Sequence, residues 1–278
     1  MTTDERLQYE FQGFLHLPGV IDPATTNRVR LAFDRAAARR VPDGHTGFYD
    51  LPDILDEDDC FVDLVDLPAM MPILRMAVGD DIQLNHTHAR IFPPGRTHTA
   101  PWHSDLAEVL GIDLGHSLNF FVKVHYFFED LSPDQGCLAF IPGSHRLPRE
   151  APRPVIDDLE SSKAAVKVVP KAGDAVLFNT HVLHMALDNT SPKVRKSLIY
   201  AYSHFWVKNY ANAVPRDLER LATTRLRRQL FGVEEEGVSY FDQRADVNAS
   251  SHPGTTLQSA SKRLIRRLRR ATSITRAR

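Results

Sequence analysis

At 278 residues, 42% hydrophobic and 25% charged, the chain can bury a sizeable core, which excludes wholesale disorder; its length fits one large domain or two small ones. Thirty-four basic residues against thirty-five acidic ones leave a formal charge of -1, which argues against a surface dedicated to nucleic acid. The balance is uneven, because residues 249–278 hold eight basic and no acidic residues, so that residues 1–248 carry a formal -9 and a basic tail follows.

In chain order, residues 9–20 are apolar and punctuated by glycine, and Asp22-Pro23 then reads as the N-cap and first turn of a helix running to about Arg40. Residues 41–60, rich in Pro, Gly and Asp, predict a loop with six acids between Asp50 and Asp59. A short helix is expected over residues 61–78. From Ile82 the texture changes to short β-branched and aromatic runs between Pro/Gly/Asp clusters, the pattern of an all-β sandwich or barrel. Strands are predicted at residues 82–92, 118–129, 137–141, 164–169, 175–184 and 194–206. Residues 211–248 read as mostly helical and then irregular, 250–261 as a linker and 262–270 as a short basic helix. Cys60 and Cys137 are too few for a disulfide framework. With no signal-peptide pattern and no apolar run of about 18 residues, a cytoplasmic protein without a membrane span is expected.

The chemistry concentrates in two stretches. In Pro101-Trp102-His103-Ser104-Asp105, residues two apart on an extended chain face the same way, so His103 and Asp105 can offer a nitrogen and an oxygen to one metal. In the second, Gly173-Asp174 launches an apolar run that delivers His184. The turn signal Asp188-Asn189-Thr190-Ser191-Pro192 and a strand carrying Arg195 follow, which predicts a hairpin with His184 and Arg195 in neighbouring strands. Two histidines and one carboxylate are the ligand set of non-haem Fe(II) oxygenases. An arginine nearby offers the planar, permanently charged fork that a 2-oxo acid with a distant carboxylate needs.

The order H-x-D, then Pro142-Gly143-Ser144-His145, then G-D-x-x-L-F with a late His and an Arg eleven residues on, resembles the phytanoyl-CoA dioxygenase family of Fe(II)/2-oxoglutarate-dependent oxygenases. The segments 10–20 and 134–145 resemble that family too, and the likeness spans roughly residues 9–206. It implies a mainly β fold with flanking helices, the double-stranded β-helix or cupin-like jelly roll, as a single domain over residues 1–248 with its core at about 82–206. It implies His103, Asp105 and His184 as iron ligands, with His181 as the rival to His184, and Arg195 as the partner of the 2-oxoglutarate C5 carboxylate. Ser197, on the same face as Arg195, would support that carboxylate. His88 falls where the family has a co-substrate neighbour, and His125 where it often has Trp or another large side chain. Ala186 stands where relatives often carry a small hydroxyl residue, and His145 is expected to secure a loop.

Lys123 shares the alternating face of Asn119, Phe121, His125 and Phe127; facing inward it is costly unless paired, so it is read either as a co-substrate-binding residue touching a carboxylate or as a lysine reaching solvent at the sheet edge. The implied cofactors are Fe(II), 2-oxoglutarate as co-substrate and O2. The implied reaction is oxidation, by default hydroxylation, of an unactivated C–H bond with release of succinate and CO2. Asp105 argues against the related halogenases, in which a small residue replaces the carboxylate. Two other readings stay open: a jelly-roll metal protein that isomerises, hydrolyses or binds a ligand without turning over 2-oxoglutarate, and an inactive binding module. The acids of residues 50–59 predict a rim that steers a cationic small molecule, such as an amine-bearing natural-product intermediate, rather than an acyl-CoA.

Overall fold

The computed structural model describes residues 2–95, 102–105, 119–147, 162–209 and 214–233. Among these residues, nine strands form two sheets. They are β1 (Phe14–Leu17), β2 (Tyr49–Leu51), β3 (Ile82–Phe92), β4 (Phe121–Tyr126), β5 (Leu138–Phe140), β6 (Val166–Val168), β7 (Ala175–Asn179), β8 (His184–Ala186) and β9 (Arg195–His204). The major sheet has the order β1-β7-β4-β9-β3-β2 and the minor sheet β6-β5-β8, with every strand pair antiparallel. This is the expected jelly roll.

The helices pack outside. Helix α1 (Thr3–Gln12) starts at a capping box in which Thr2 and Glu5 satisfy each other's backbone donors, a signal present in the sequence and not used above. Helix α2 (Pro23–Arg40) begins as expected: the Asp22 carboxylate accepts from the amides of Ala24 and Thr25. Its buried stripe of Thr26, Val29, Phe33 and Ala36 follows the helical period, and Phe33 meets Phe128 just beyond β4 with ring centroids 4.9 Å apart. The predicted helix over residues 61–78 is instead two, α3 (Asp59–Asp63) and α4 (Met71–Val78), with Pro68 between them. Proline lacks the amide a continuous helix would use there. The predicted loop 41–60 contains β2, which pairs with β3. Helices α5 (Leu218–Leu221) and α6 (Arg225–Leu230) account for the helical reading near the end. The linker, the basic helix and the tail beyond residue 248 lie outside the described residues.

Three tyrosines on the outer face of the major sheet are hydrogen-bonded to the layer outside it. The hydroxyls of Tyr126, Tyr200 and Tyr202 donate to the carbonyls of Leu64, Phe61 and Val65, tying the sheet to the α3 region. Between the sheets one half of the interior is an apolar cluster of Phe14, Phe127, Leu138, Phe140, Val176, Phe178 and their neighbours. Ala186 belongs to this cluster. The other half, lined by β3, β9 and β4, carries the polar side chains. Cys60 and Cys137 are both free and buried. Among the described residues no helix is long and apolar enough to cross a membrane.

One strand boundary differs in a way that shapes the site. The single strand expected over residues 175–184 is divided: β7 ends at Asn179 in the major sheet, and β8 begins at His184 in the minor sheet. Asn179 makes the break, since its side-chain oxygen accepts from the amide of His181 and its carbonyl from that of Val182, a local turn that competes with the ladder. Thr180 reinforces it by donating to the Phe121 carbonyl. His184 and Arg195 therefore stand in different sheets, not in neighbouring strands of one hairpin. The buried side chain of Asn189 ties the turn between them to the carbonyls of Phe92 and Lys193.

Candidate active site

His103 and His184 exchange both backbone hydrogen bonds, at 3.1 and 3.0 Å, in an isolated antiparallel bridge that continues the minor sheet beyond β8. The pairing sets the two imidazoles side by side, with centroids 4.5 Å apart. Asp105, two residues on and facing the same way, brings its carboxylate within 3.5 Å of His184 Nε2 and 4.0 Å of His103 Nε2. One donor atom from each of the three lies within 4.8 Å of the others, and this is the cluster of metal-ligating side chains found among the described residues. His181 is not part of this cluster.

The surroundings tune these groups. His184 Nδ1 lies 2.9 Å from the Val182 carbonyl, an acceptor that places the ring proton on Nδ1 and leaves the Nε2 lone pair free. Phe140 and Phe178 wall the ring, and burial pushes its pKa down to about 4, so it is neutral at pH 7. Burial alone would raise the Asp105 pKa, but the cation of Lys123 and the adjacent histidines hold it well below the usual carboxylate range. Of the two readings of Lys123, the structure shows contact with a carboxylate, and it is that of Asp105: Nζ is 2.9 Å from Oδ1.

The polar half of the interior lies along the major sheet. His88 and His125 both pair with Ile199, one from each side of β9, so they flank that strand; Ser197 and Arg195 follow on the same face at steps of two. Burial, with Arg90 and Arg195 nearby, pushes the pKa of His88 down to about 3 and that of His125 well below the usual range. His86, missed as a site residue although it shares the alternation of His88, stacks on His88 at 5.8 Å and is pushed down to about 2. Arg195 is 1% exposed, lies under the Phe92 ring at 5.2 Å and donates from one Nη to the Gly136 carbonyl. Gly136 must be glycine: its φ is +67°, and a Cβ would sit 2.7 Å from the Phe92 ring. Arg195 Nε and Nη2, Ser197 Oγ, His88 Nε2, His125 Nδ1 and Asp105 Oδ2 are buried and make no hydrogen bond among the described residues.

His145 does secure a loop. It packs against Gly13 at the end of α1, where the Gly143 amide also donates to the Gln12 carbonyl, and it is not in the metal-ligating cluster. The expected acidic rim is corrected. Arg90 grips Asp50 through two contacts of 2.9 Å, Arg216 serves Asp53 and Asp56, Arg39 and Arg40 hold Glu57, Arg35 holds Asp58 and Arg220 holds Asp59. Each acid has an arginine within 4.0 Å, so the cluster braces α2 and the segment carrying α5 instead of projecting a negative field.

The pattern of the phytanoyl-CoA dioxygenase (PhyH) family matches residues 9–197 of this chain. Human peroxisomal phytanoyl-CoA dioxygenase is 25% identical over 235 residues, covering 71% of this chain and 67% of the human protein. Among solved structures, the non-haem α-ketoglutarate-dependent carbocyclase SnoK from nogalamycin biosynthesis superposes with a TM-score of 0.60 at 21% identity, over 73% of this chain and 84% of its own. HygX from Streptomyces hygroscopicus, solved with nickel and 2-oxoglutarate bound, gives a TM-score of 0.61 at 18% identity, over 78% and 94%. These two likenesses establish the fold.

Proposed function

The chain belongs to the phytanoyl-CoA dioxygenase family and is a non-haem Fe(II)/2-oxoglutarate-dependent dioxygenase, and we propose that His103, Asp105 and His184 hold its iron while Arg195, Ser197, His88 and His125 seat the co-substrate. The observation that carries this reading is the contrast between the two faces of one sheet. Outside, the hydroxyls of Tyr126, Tyr200 and Tyr202 find backbone acceptors; inside, Arg195, Ser197, His88 and His125 hold buried polar atoms that make no hydrogen bond among the described residues. Buried polar groups are ordinarily paired, so this set fits a polar ligand. The donors fit a divalent cation in the same way: two imidazoles, that of His184 held neutral by burial, and a carboxylate kept ionised, which is the 2-His-1-carboxylate set.

With iron, 2-oxoglutarate and O2 bound, the site gains an oxidant able to attack an unactivated C–H bond, with release of succinate and CO2. The chain's own residues do the rest. Val182 fixes the His184 tautomer so that Nε2 is the donor. The Arg195 fork faces the far carboxylate of the co-substrate, and Ser197 adds a hydroxyl donor beside it. Neutral His88 and His125 supply hydrogen bonds without adding charge. The Phe140 and Phe178 walls exclude water from the metal side.

The outcome we propose is hydroxylation of a small metabolite, with a natural-product intermediate as the favoured class. SnoK, which acts in nogalamycin biosynthesis, supports that class. The paired acids of residues 50–59 give a preference for cations no support. We also propose residues 1–248 as the catalytic domain. Anaerobic reconstitution with iron and 2-oxoglutarate, then exposure to O2 with a substrate library, tests the function through succinate release. Metal binding without 2-oxoglutarate consumption would instead favour an isomerase, a hydrolase or a binding module on the same fold.

A further inference from the structure

We propose that Lys123 is a positioning residue that commits Asp105 to present a single oxygen to the metal. The inference rests on the reading of His103, Asp105 and His184 as a metal site. Lys123 Nζ lies 2.9 Å from Asp105 Oδ1, and the two side chains are only 15% and 11% exposed. Oδ2 makes no hydrogen bond among the described residues and is 3.5 Å from His184 Nε2. Lys123 comes from β4, in the sheet opposite the one that carries His184, and it pairs with Ala201 on one side and Phe178 on the other. Alanine leaves room on that face for a long side chain. Water cannot readily replace an ammonium held in so enclosed a place, so the pair is built into the site.

A carboxylate can bind a cation through one oxygen or both. With Oδ1 held by Lys123, Asp105 occupies one coordination position, and the positions left open serve the 2-oxo acid, which takes two. Without the ammonium, Oδ1 is released to turn toward the metal, and the cation's repulsion of the metal disappears as well. Loss of Lys123 therefore strengthens metal binding and weakens 2-oxoglutarate binding. A side chain that merely supports the fold does not move two affinities in opposite directions.

The test uses the full chain as wild type, Lys123→Met and Lys123→Arg, with folding checked by circular dichroism. Anaerobic titration with Fe(II) or Co(II) gives the metal affinity, and titration of the Fe(II)-loaded protein with 2-oxoglutarate gives the second, read from the visible charge-transfer absorption. Lys123→Met is expected to bind metal about tenfold more tightly and 2-oxoglutarate about tenfold more weakly, while Lys123→Arg stays near wild type in both. Shifts of the same sign, or none, overturn the role of Lys123. A wild type that binds neither metal nor 2-oxoglutarate overturns the site reading itself, a separate outcome. If Lys123→Met does not fold, infrared difference spectra of wild type labelled with 13C-aspartate, with and without metal, decide the matter. A wide splitting of the carboxylate stretches is expected for one-oxygen ligation, and a narrow one refutes it.

Discussion

Replacing Arg195 by methionine should leave the ligand-free protein as stable as wild type, or more so, while crippling its affinity for 2-oxoglutarate. Arg195 is 1% exposed and its Nε and Nη2 make no hydrogen bond among the described residues, so part of a buried charge lacks a partner there. Burial, aided by Arg90, pushes its pKa down to about 9. A base whose pKa falls on folding destabilises the fold when protonated. That cost is fully present below about pH 9, hence at pH 7, and eases only as pH rises toward the unfolded value. Its size is of the order of a few kcal/mol, the effective penalty for burying an ion whose hydrogen bonds are only partly satisfied, and methionine removes it while filling most of the volume. Charge-assisted contacts to a carboxylate contribute about 1.5–3 kcal/mol, so the variant should bind 2-oxoglutarate roughly 10- to 150-fold more weakly. Thermal melts with and without 2-oxoglutarate read both effects together, because a ligand raises the midpoint only in the protein that binds it. A variant that melts well below wild type yet keeps its affinity refutes the reasoning. Arg195 would then be a clamp for the Gly136 carbonyl and no co-substrate anchor.

His103→Ala and His184→Ala should each lose iron and turnover, whereas His181→Ala keeps both; the reverse pattern in metal titrations would reassign the ligand. In the metal-free protein, His86, His88 and His145 have pKa values pushed down to about 2, 3 and 4, with His125 well below the usual range, all first through burial. Below about pH 6.5 the unfolded chain takes up protons that the folded one refuses, so stability should fall between about pH 6.5 and 4, by at most about 1.4 kcal/mol per pH unit for each histidine. Denaturant midpoints at pH 7 and pH 5 check this, and equal midpoints would mean that these rings are solvated. Truncation after Asn248 should leave kcat and KM unchanged in the purified protein, and a collapse in activity of the still folded truncation would show that the tail completes the site.

Much of this site was legible from local rules. Period-two alternation set His103 with Asp105, and Lys123 with His125, on common faces, and the Asp22-Pro23 cap marked the start of α2. Such features depend on a few consecutive residues, whose steric and hydrogen-bonding preferences act wherever the segment lies. The inward lysine allowed two readings, a carboxylate contact or an escape to solvent, because an unpaired ammonium is too costly to bury. Which carboxylate it would find was decided by the packing of two sheets, which brings β4 against the segment of Asp105. The break at Asn179 is likewise tertiary: an apolar run reads as one strand, yet its second part pairs with β5, and only that exchange of sheets puts His184 beside His103 and opposite Arg195. The six acids of residues 50–59 gave the same lesson in charge. Along the chain they are a negative cluster, but arginines from α2, β3 and the segment carrying α5 reach them in the fold. Electrostatic field depends on distances in space, and sequence order specifies those only between near neighbours.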